Sequence, residues 1–259
     1  MIRPVTGPPP DPARPPAPAS AARLRALHAG RAPGDPLVLP GPWDAASADV
    51  FVRAGAEALA TPSHGIAASL GHADGSTPAD EMFAAVARIV RAVDGRVPVS
   101  ADIERGYGLP PAELVARLLG TGAVGCNLED SAGGELVDPR RQADFLSEVH
   151  AAAGDRLFVN ARIDTYIRGA ADPLGEALER GRLYVAAGAE CVYPFAAPPA
   201  DLGVLAGELG VPVNAIPLPD GPSARELAEA GASRITYGGG LHARALAAYE
   251  DIARTLPLP

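Results

Sequence analysis

The sequence contains no lysine, and all 22 of its basic residues are arginine. A Schiff-base aldolase requires a lysine amine, and a phosphate-binding P-loop requires a lysine beside the phosphates. Composition therefore excludes both classes of site. A general preference for arginine over lysine explains the absence better than selection at any one position, and the exclusion holds for either cause.

Cysteine and long hydrophobic runs are also scarce. The two cysteines, Cys126 and Cys191, lie in short apolar segments without the spacing of a zinc site or a disulfide framework, so we predict buried strand residues. No uninterrupted apolar run approaches the roughly 20 residues of a membrane-spanning helix. Residues 1–18 lack the charged and then apolar order of a secretory signal. We therefore expect a cytoplasmic protein without a membrane partner.

The sequence has fewer basic than acidic residues, so its formal net charge is -9 at pH 7 and its pI is about 5.0. A surface that binds nucleic acid requires a concentration of positive charge. Nucleic acid is therefore not expected as a partner. The length of 259 residues suits one α/β barrel rather than two domains.

Proline dominates residues 1–20, MIRPVTGPPPDPARPPAPAS, which we predict to be a disordered or extended tail. We expect residues 21–259 to form a single catalytic domain that begins with a short helix at 21–29. Short apolar segments typical of buried parallel strands then recur at 37–40, 57–61, 97–101, 123–127, 157–161, 190–194, 211–216 and 234–238. Amphipathic helical stretches separate them. Eight alternations predict an α/β fold, a closed (β/α)8 barrel of the TIM type.

Acidic residues follow neighbouring predicted strands, at the end of a barrel where catalytic groups concentrate. Asp102 and Glu104 follow the third strand, and Glu129 follows the fourth. Strand alternation would place Asp102 and Glu104 on one side, which is costly unless a cation compensates their charges. Oxygen ligands without nearby His or Cys favour Mg²⁺ or Mn²⁺ over zinc. The competing interpretation is that such acids solubilise loops or cap helices, a role that suits Asp130 and the adjacent Ser131.

Arg162 follows the fifth strand and would face the same cavity. Its planar fork suits a substrate carboxylate or phosphonate, whereas a structural salt bridge to Glu129 is the alternative. The long second loop, TPSHGIAASLGHADGSTP, offers further polar groups. Ser63, His64 and Gly65 would present donors to an anionic substrate, and Asp74 would reach the metal through water. For His64, packing in the turn weighs as much as catalysis.

Five ordered motifs carry a resemblance to a known family, one after each of the first five strands: PGPWDAASADVF, TPSHGIAASLGHADG, SADIERGYG, CNLEDS and NARIDTY. From about Leu24 to the C-terminus, the sequence resembles the isocitrate lyase/phosphoenolpyruvate mutase superfamily. The resemblance implies a barrel whose last helix is exchanged between subunits of a homodimer or homotetramer. It also implies Mg²⁺ bound beneath a 2-oxo acid or its enolate.

The resemblance assigns a role to each candidate residue. Asp102, Glu104 and Glu129 match the acids of the metal site, and Asp74 matches the acid of the second loop. Arg162, Glu129 and His64 are the candidates for catalysis. The candidates for binding the small anionic substrate are Trp43, Ser63, His64, Gly65, Asn160 and Arg162.

The sequence also departs from the family pattern. Lyases of the family carry a KKCGH-type motif after the fourth strand, whereas the corresponding segment here, SAGGELVDPRRQADF, contains no Cys, Lys or His. In addition, Phe195 stands where those lyases have glutamate. Isocitrate lyase, methylisocitrate lyase and strict phosphoenolpyruvate mutase activities are therefore disfavoured. The leading hypothesis is a Mg²⁺-dependent lyase or phosphonomutase-like enzyme for a small 2-oxo or 2-hydroxy dicarboxylate or phosphonate, with oxaloacetate-type decarboxylation or cleavage foremost. Hydroxymethyl transfer and non-catalytic metabolite binding are the alternatives.

Overall fold

A computed structural model of the chain describes residues 19–31 and 34–257, so residues 1–18 of the predicted tail lie outside the described part. Ser20, which the sequence placed in the tail, caps the first helix, because its Oγ accepts a hydrogen bond from the Arg23 N–H at 3.1 Å. The strands are β1 (Leu37–Leu39), β2 (Leu59–Thr61), β3 (Val99–Asp102), β4 (Gly125–Glu129), β5 (Ser131–Ala132), β6 (Glu135–Leu136), β7 (Phe158–Ile163), β8 (Cys191–Pro194), β9 (Asn214–Ala215) and β10 (Arg234–Thr236). The α-helices are α1 (Ala21–His28), α2 (Ala45–Arg53), α3 (Ser63–Leu70), α4 (Ala79–Val93), α5 (Pro111–Thr121), α6 (Pro139–Ala153), α7 (Pro173–Ala186), α8 (Pro199–Leu209), α9 (Ala224–Glu229) and α10 (Gly240–Arg254).

Parallel strands form two sheets, in the orders β1-β10-β9 and β2-β3-β4-β7-β8. A single parallel bridge between Val192 and Val213 lies where β8 meets β9, and the Ala60 N–H donates to the Pro40 carbonyl at 3.2 Å where β2 meets β1. Each of the eight predicted strand segments overlaps one of these strands, which confirms their number and order, and β3, β4 and β7 run one or two residues past the predicted ends. The result is an α/β fold with parallel sheet, consistent with a TIM-type barrel, and closure into one continuous ladder stays a prediction.

The helices bury one face against the strands. In α4 the buried side chains Met82, Val86, Ile89 and Val93 recur every three or four residues, which is the period of a helix with one apolar face. Helix α2 begins at a capping box, in which the Ser47 N–H donates to the carboxylate of the residue before the helix at 2.7 Å. This cap fixes where α2 begins in the loop that follows β1.

Both cysteines are free and fully buried, Cys126 in β4 and Cys191 in β8, as the sequence predicts. Burial raises the pKa of each thiol to about 12. The two thiols are therefore uncharged members of the core. Among the described residues, no helix combines the length and the apolar character that crossing a membrane requires.

Helix α1 carries a buried histidine. The His28 ring stacks on Phe158 at a centroid distance of 4.3 Å, and its Nδ1 lies 2.8 Å from the Leu24 carbonyl oxygen. Burial, assisted by the positive charge of Arg234, lowers the pKa of His28 from 6.5 to about 4. The folded protein therefore keeps this imidazole neutral at pH values where the unfolded chain would protonate it.

Substitution of His28 tests this buried ring. Between pH 6.5 and 4 the unfolded chain binds the proton more tightly, so acidification weakens folding. From pH 7 to pH 5 the wild type should lose about 2 kcal/mol more of its free energy of unfolding than His28→Gln, as measured by urea denaturation. The exposed His150→Gln should retain the pH dependence of the wild type. Equal acid sensitivity of His28→Gln and wild type would contradict the assignment.

Candidate active site

A cavity of about 540 Å³ lies at the carboxyl ends of β3, β4 and β7. This is the end of a parallel α/β fold where ligands bind. Its charged wall consists of three acids and three arginines: Asp74, Glu104, Glu129, Arg105, Arg162 and Arg168. Asp102 faces a smaller adjoining cavity of about 30 Å³, which shares Arg162 with the larger one. The predicted acids therefore lie in one region of the protein.

The end of β3 holds Asp102 by two donors. The Ser63 Oγ donates to Asp102 Oδ2 at 3.0 Å, and the Glu104 N–H donates to Oδ1 at 3.3 Å. Strand alternation, from which the sequence argument placed Glu104, does not apply, because β3 ends at Asp102 and Glu104 has a φ of 52°. That left-handed conformation is unfavourable for glutamate and is typical of functional sites. A strained turn, rather than the strand, brings Glu104 to the cavity.

Burial and mutual repulsion shape the charge of these acids. Burial raises the pKa of Asp102. Burial, followed by the negative charges of Asp102 and Asp74, raises the pKa of Glu104 to about 7. The Oε1 atom of Glu104 is buried and has no hydrogen-bond partner in the protein. A cation beside these oxygens would relieve both the repulsion and the missing contact.

Arg162 lies between two carboxylates. Its Nη1 is 2.8 Å from Glu129 Oε2, and its Nε and Nη2 donate to Asp164 at 2.7 and 3.3 Å. The salt bridge to Glu129, which the sequence analysis held as an alternative, is therefore present. The guanidinium carbon lies 4.3 Å from the centre of the Phe195 ring. Burial raises the pKa of Glu129 to about 8, although Arg162 opposes this shift.

Asp130 and Ser131 support this arrangement from within the core. The Ser131 Oγ donates to Asp164 Oδ2, and the Asp164 N–H donates to Asp130 Oδ1 at 2.9 Å. Asp130 also accepts hydrogen bonds from Arg180 at 3.1 Å and from the Tyr184 hydroxyl at 2.8 Å. Neither residue is a helix cap or a solvated loop residue, because both are buried. That interpretation is wrong for them, since their hydrogen bonds fix the end of β7.

A short antiparallel hairpin, β5–β6, covers one side of the cavity. Its tip consists of Gly133 and Gly134, whose φ values of 58° and 90° suit glycine. At its base the Val137 N–H donates to the Asp130 carbonyl at 2.9 Å. The hairpin is not among the strands predicted from the sequence. Ala132, Gly133 and Gly134 contribute no side-chain acid to the cavity wall.

The predicted second loop begins helix α3 at Ser63. Of its three candidate residues, Ser63 lines the cavity, whereas His64 and Gly65 are absent from the cavity wall. His64 is 61% exposed, and its Nδ1 lies 3.5 Å from Asp74 Oδ2. The His64 ring packs close to Gly239, at the start of α10, where an added Cβ would lie 2.6 Å from Cδ2.

Two further candidates lie away from the main cavity. Trp43 lines an apolar groove between α2 and α10, with its ring 5.0 Å from that of His242. Asn160 is fully buried within β7, and its Nδ2 donates to Asn127 Oδ1 at 2.8 Å. Sequence position identified the correct strand ends but not the direction of these side chains.

The donor set fits a hard cation, although the acids do not form a ready-made cage. Across residues 19–31 and 34–257, no three His, Cys, Asp or Glu side chains converge as a metal-ligand group. Asp102 is engaged by Ser63, and Glu129 is engaged by Arg162. The carboxylate oxygens and the unpartnered Glu104 Oε1 are the chemistry that Mg²⁺ or Mn²⁺ prefers. Gathering them on one ion requires side-chain rotation.

Among the residues of the cavity wall that were not candidates from the sequence, three have long polar side chains: Arg105, Tyr107 and Arg168. Tyr107 has a φ of 57°, and its hydroxyl is buried without a hydrogen-bond partner. The available signal was the position of Arg105 directly after Glu104 and of Arg168 shortly after the end of β7.

Known proteins are similar to this chain in fold and in sequence. The family model for phosphoenolpyruvate phosphomutase matches residues 24–256. An uncharacterized protein of Mycobacterium tuberculosis is 34% identical over 236 residues, which are 86% of this chain and 90% of that protein. A crystal structure of a candidate phosphonomutase from Burkholderia cenocepacia J2315 is 39% identical and has a TM-score of 0.83, with coverage of 91% of this chain and 99% of that one. The crystal structure of 2,3-dimethylmalate lyase is 26% identical, has a TM-score of 0.80, and covers 92% and 85% of the two chains.

The buried network under Arg162 yields a stability prediction. Tyr184→Phe removes the hydroxyl that donates to the buried Asp130 carboxylate, and the free energy of unfolding should fall by about 2 kcal/mol. Urea denaturation measures the difference. Tyr249→Phe, at a tyrosine that is 60% exposed, should leave stability within about 0.5 kcal/mol of the wild type. If the two variants were equally stable, the hydroxyl would have no structural role.

Proposed function

This chain belongs to the phosphoenolpyruvate phosphomutase family, and we propose that it is a Mg²⁺-dependent enzyme that makes or breaks a C–C or P–C bond. The substrate would be a small 2-oxo or 2-hydroxy dicarboxylate or a phosphonate. The observation that carries the proposal is the single region where Asp102, Glu104 and Glu129 lie beside Arg162 at the ends of neighbouring strands. The likeness to 2,3-dimethylmalate lyase supports a lyase reaction.

The metal would be held by Asp102, Glu104 and Glu129, with Asp74 as an outer partner on the same wall. When bound, Mg²⁺ supplies positive charge and Lewis acidity beside the 2-oxo group of the substrate. Mn²⁺ suits the same oxygen donors. This assignment agrees with a chain that has no lysine to activate a carbonyl group as a Schiff base.

Arg162 would stabilise the negative charge that develops on the substrate in an enolate-type reaction. Its guanidinium is held in place before the substrate arrives, because Asp164 accepts from two of its nitrogens and Phe195 lies against its face. A preorganised cation of this kind loses little energy to rearrangement during the reaction. Ser63, which donates to Asp102, orients the neighbouring acid.

The described cavity wall contains no cysteine and no histidine. A proton for the product would therefore come from a carboxyl group, from Tyr107 or from water. Decarboxylation or cleavage of an oxaloacetate-type acid suits this wall, since it requires no cysteine acid on the hairpin. The hairpin tip at Gly133 and Gly134 offers only backbone groups to a ligand.

Glu129→Gln tests the metal and enolate site. Turnover in Mg²⁺ of a panel containing oxaloacetate, phosphonopyruvate and 2-methylmalate should fall by about 100-fold or more, because a charged ligand and the partner of Arg162 are lost together. The exposed Glu148→Gln, on α6, should retain full activity. Calorimetry with oxalate, an enolate mimic, should give binding to the wild type only when Mg²⁺ is present.

The two readouts distinguish the competing functions. Metal-dependent binding of oxalate without turnover of any panel member would indicate a non-catalytic metabolite-binding protein. If the protein neither bound oxalate nor turned over any panel member, the proposal would lose its basis. Turnover that is unaffected by Glu129→Gln would rule out this site as its origin.

We also propose that α10 packs against a second copy of the chain in a homo-oligomer. His242 is the buried residue of this helix, whereas Leu246, Tyr249 and Ile252 are 44%, 60% and 58% exposed along one side of it. Exposed apolar stripes of this kind mark interaction surfaces. The groove of about 580 Å³ between α2 and α10 continues the apolar surface as far as Trp43.

Ile252→Glu tests this interface. A charge placed in a buried apolar contact should shift the oligomer towards a smaller species, as measured by light scattering after size-exclusion chromatography. Val204→Glu, at a valine that is 43% exposed on α8, introduces the same charge and should leave the mass unchanged. A wild-type protein that is monomeric at all concentrations would contradict the proposal.

A further inference from the structure

Each nitrogen of Arg162, the expected substrate-binding arginine, already contacts a carboxylate, and only the second N–H groups of Nη1 and Nη2 are left for a ligand. Nη1 contacts Glu129, while Nε and Nη2 donate to Asp164, so all three guanidinium nitrogens are engaged. Movement of Glu129 would release only Nη1. Asp164 is fully buried and would keep the other two nitrogens. The remaining N–H donors of Arg162 suffice for one anionic group, so a substrate with two such groups would draw on further cations.

Two other arginines of the cavity wall, Arg105 and Arg168, are not engaged in this way. Within the described ranges 19–31 and 34–257, neither side chain forms an ion pair or a hydrogen bond. The Nε of Arg105 is buried and lacks a partner, although buried guanidinium donors are normally satisfied. Most other arginines at half-buried positions, such as Arg25 with Glu190, do have a carboxylate partner. The two unpaired arginines face the same cavity.

The backbone places Arg105 at the cavity by a constrained turn. The Gly106 N–H donates to the Ile103 carbonyl at 2.8 Å, and Gly106 has a φ of 83°. A Cβ at this glycine would lie 2.8 Å from the side chain of Leu114. The turn therefore has one packed conformation, and it holds Arg105 directly beside Glu104.

Arg168 lies on a single helical turn after β7. The N–H groups of Ile167 and Arg168 both donate to the Asp164 carbonyl at 3.0 Å. Because Asp164 also binds Arg162, the backbone of Arg168 is anchored to the same buried residue that orients the catalytic arginine. The side chain of Arg168 is exposed at the cavity.

The balance of charge on the cavity wall indicates a role for Arg105 and Arg168. Asp74 and Glu104 on the wall would repel an anionic ligand, and the charge of Arg162 is already balanced by its two carboxylate partners, Glu129 and Asp164. Arg105 and Arg168 are the remaining positive charges of the described wall. A pair of guanidinium groups binds carboxylate or phosphonate oxygens through charge-assisted hydrogen bonds.

We infer that Arg105 and Arg168 bind an anionic group of the substrate that lies beyond its 2-oxo or 2-hydroxy acid end, and so select acids that carry such a distal group. This inference rests on the proposed function, which supplies the binding of the 2-oxo or 2-hydroxy acid end by the metal-site acids. The recognised group is a carboxylate or a phosphonate, since both present oxygens to the guanidinium donors. Monoanionic acids would bind without these contacts.

The test compares three ligands in Mg²⁺ by calorimetry. Oxalate reports on the metal end, malate adds a distal carboxylate, and 3-phosphonopyruvate adds a distal phosphonate. Arg105→Gln, Arg168→Gln and the double variant should each weaken binding of malate, 3-phosphonopyruvate or both by about tenfold or more, and the Kd for oxalate should not change. Where a ligand is turned over, KM should rise while kcat changes less. Arg88→Gln, at an exposed arginine of α4, is the matched control.

The outcomes separate the inference from the proposed function. If oxalate binds but the double variant binds malate and 3-phosphonopyruvate as tightly as the wild type, the assignment of the two arginines is wrong. If all three ligands weaken together, the arginines maintain the shape of the site rather than its specificity, and the inference is overturned. If the wild type does not bind oxalate in Mg²⁺, the proposed function is wrong and the inference goes with it. Weaker binding of malate by the variants would indicate recognition of a carboxylate, and weaker binding of 3-phosphonopyruvate would indicate recognition of a phosphonate.

Discussion

Arg162 between Glu129 and Asp164 is the contact on which the whole site depends. Two carboxylates at the ends of adjacent strands would repel each other, and burial would make that repulsion severe without a cation between them. Asp164 is fixed in place, because Ser131 donates a hydrogen bond to its carboxylate and the Asp130 carboxylate accepts one from its backbone N–H. The buried network thus sets the position of the guanidinium, and the guanidinium sets the position of Glu129.

The fold could largely be predicted, because buried parallel strands are continuous apolar segments separated by amphipathic helices. That pattern located β1 to β4 and β7 to β10. It could not locate β5 and β6, which have two residues each and therefore no periodicity. The predicted direction of Glu104 relied on the alternation of side chains along a strand, and that assumption does not hold, because Glu104 lies in a turn with positive φ.

The site was predictable at the level of residue type and strand end. Acids after the third and fourth strands and Arg162 after the fifth were identified because catalytic groups gather at this end of the fold. Side-chain direction was not predictable, since it depends on neighbours distant in sequence. Trp43 turns towards α10, and Asn160 pairs with Asn127 inside the strands. The unpaired state of Arg105 becomes visible only in the folded protein, where its buried Nε has no hydrogen-bond partner.

The β5–β6 hairpin is joined to the scaffold only at its base, where Val137 contacts Asp130 and Ser131 contacts Asp164. The residues between these anchors, 132–136, touch the cavity through the glycine tip and carry none of the buried hydrogen bonds that place Arg162. Insertions, deletions and new side chains can therefore accumulate in this segment without disturbing the acids. In evolutionary terms, the scaffold and the cover can diverge at different rates, so that one charged centre can be inherited while its chemistry is exchanged.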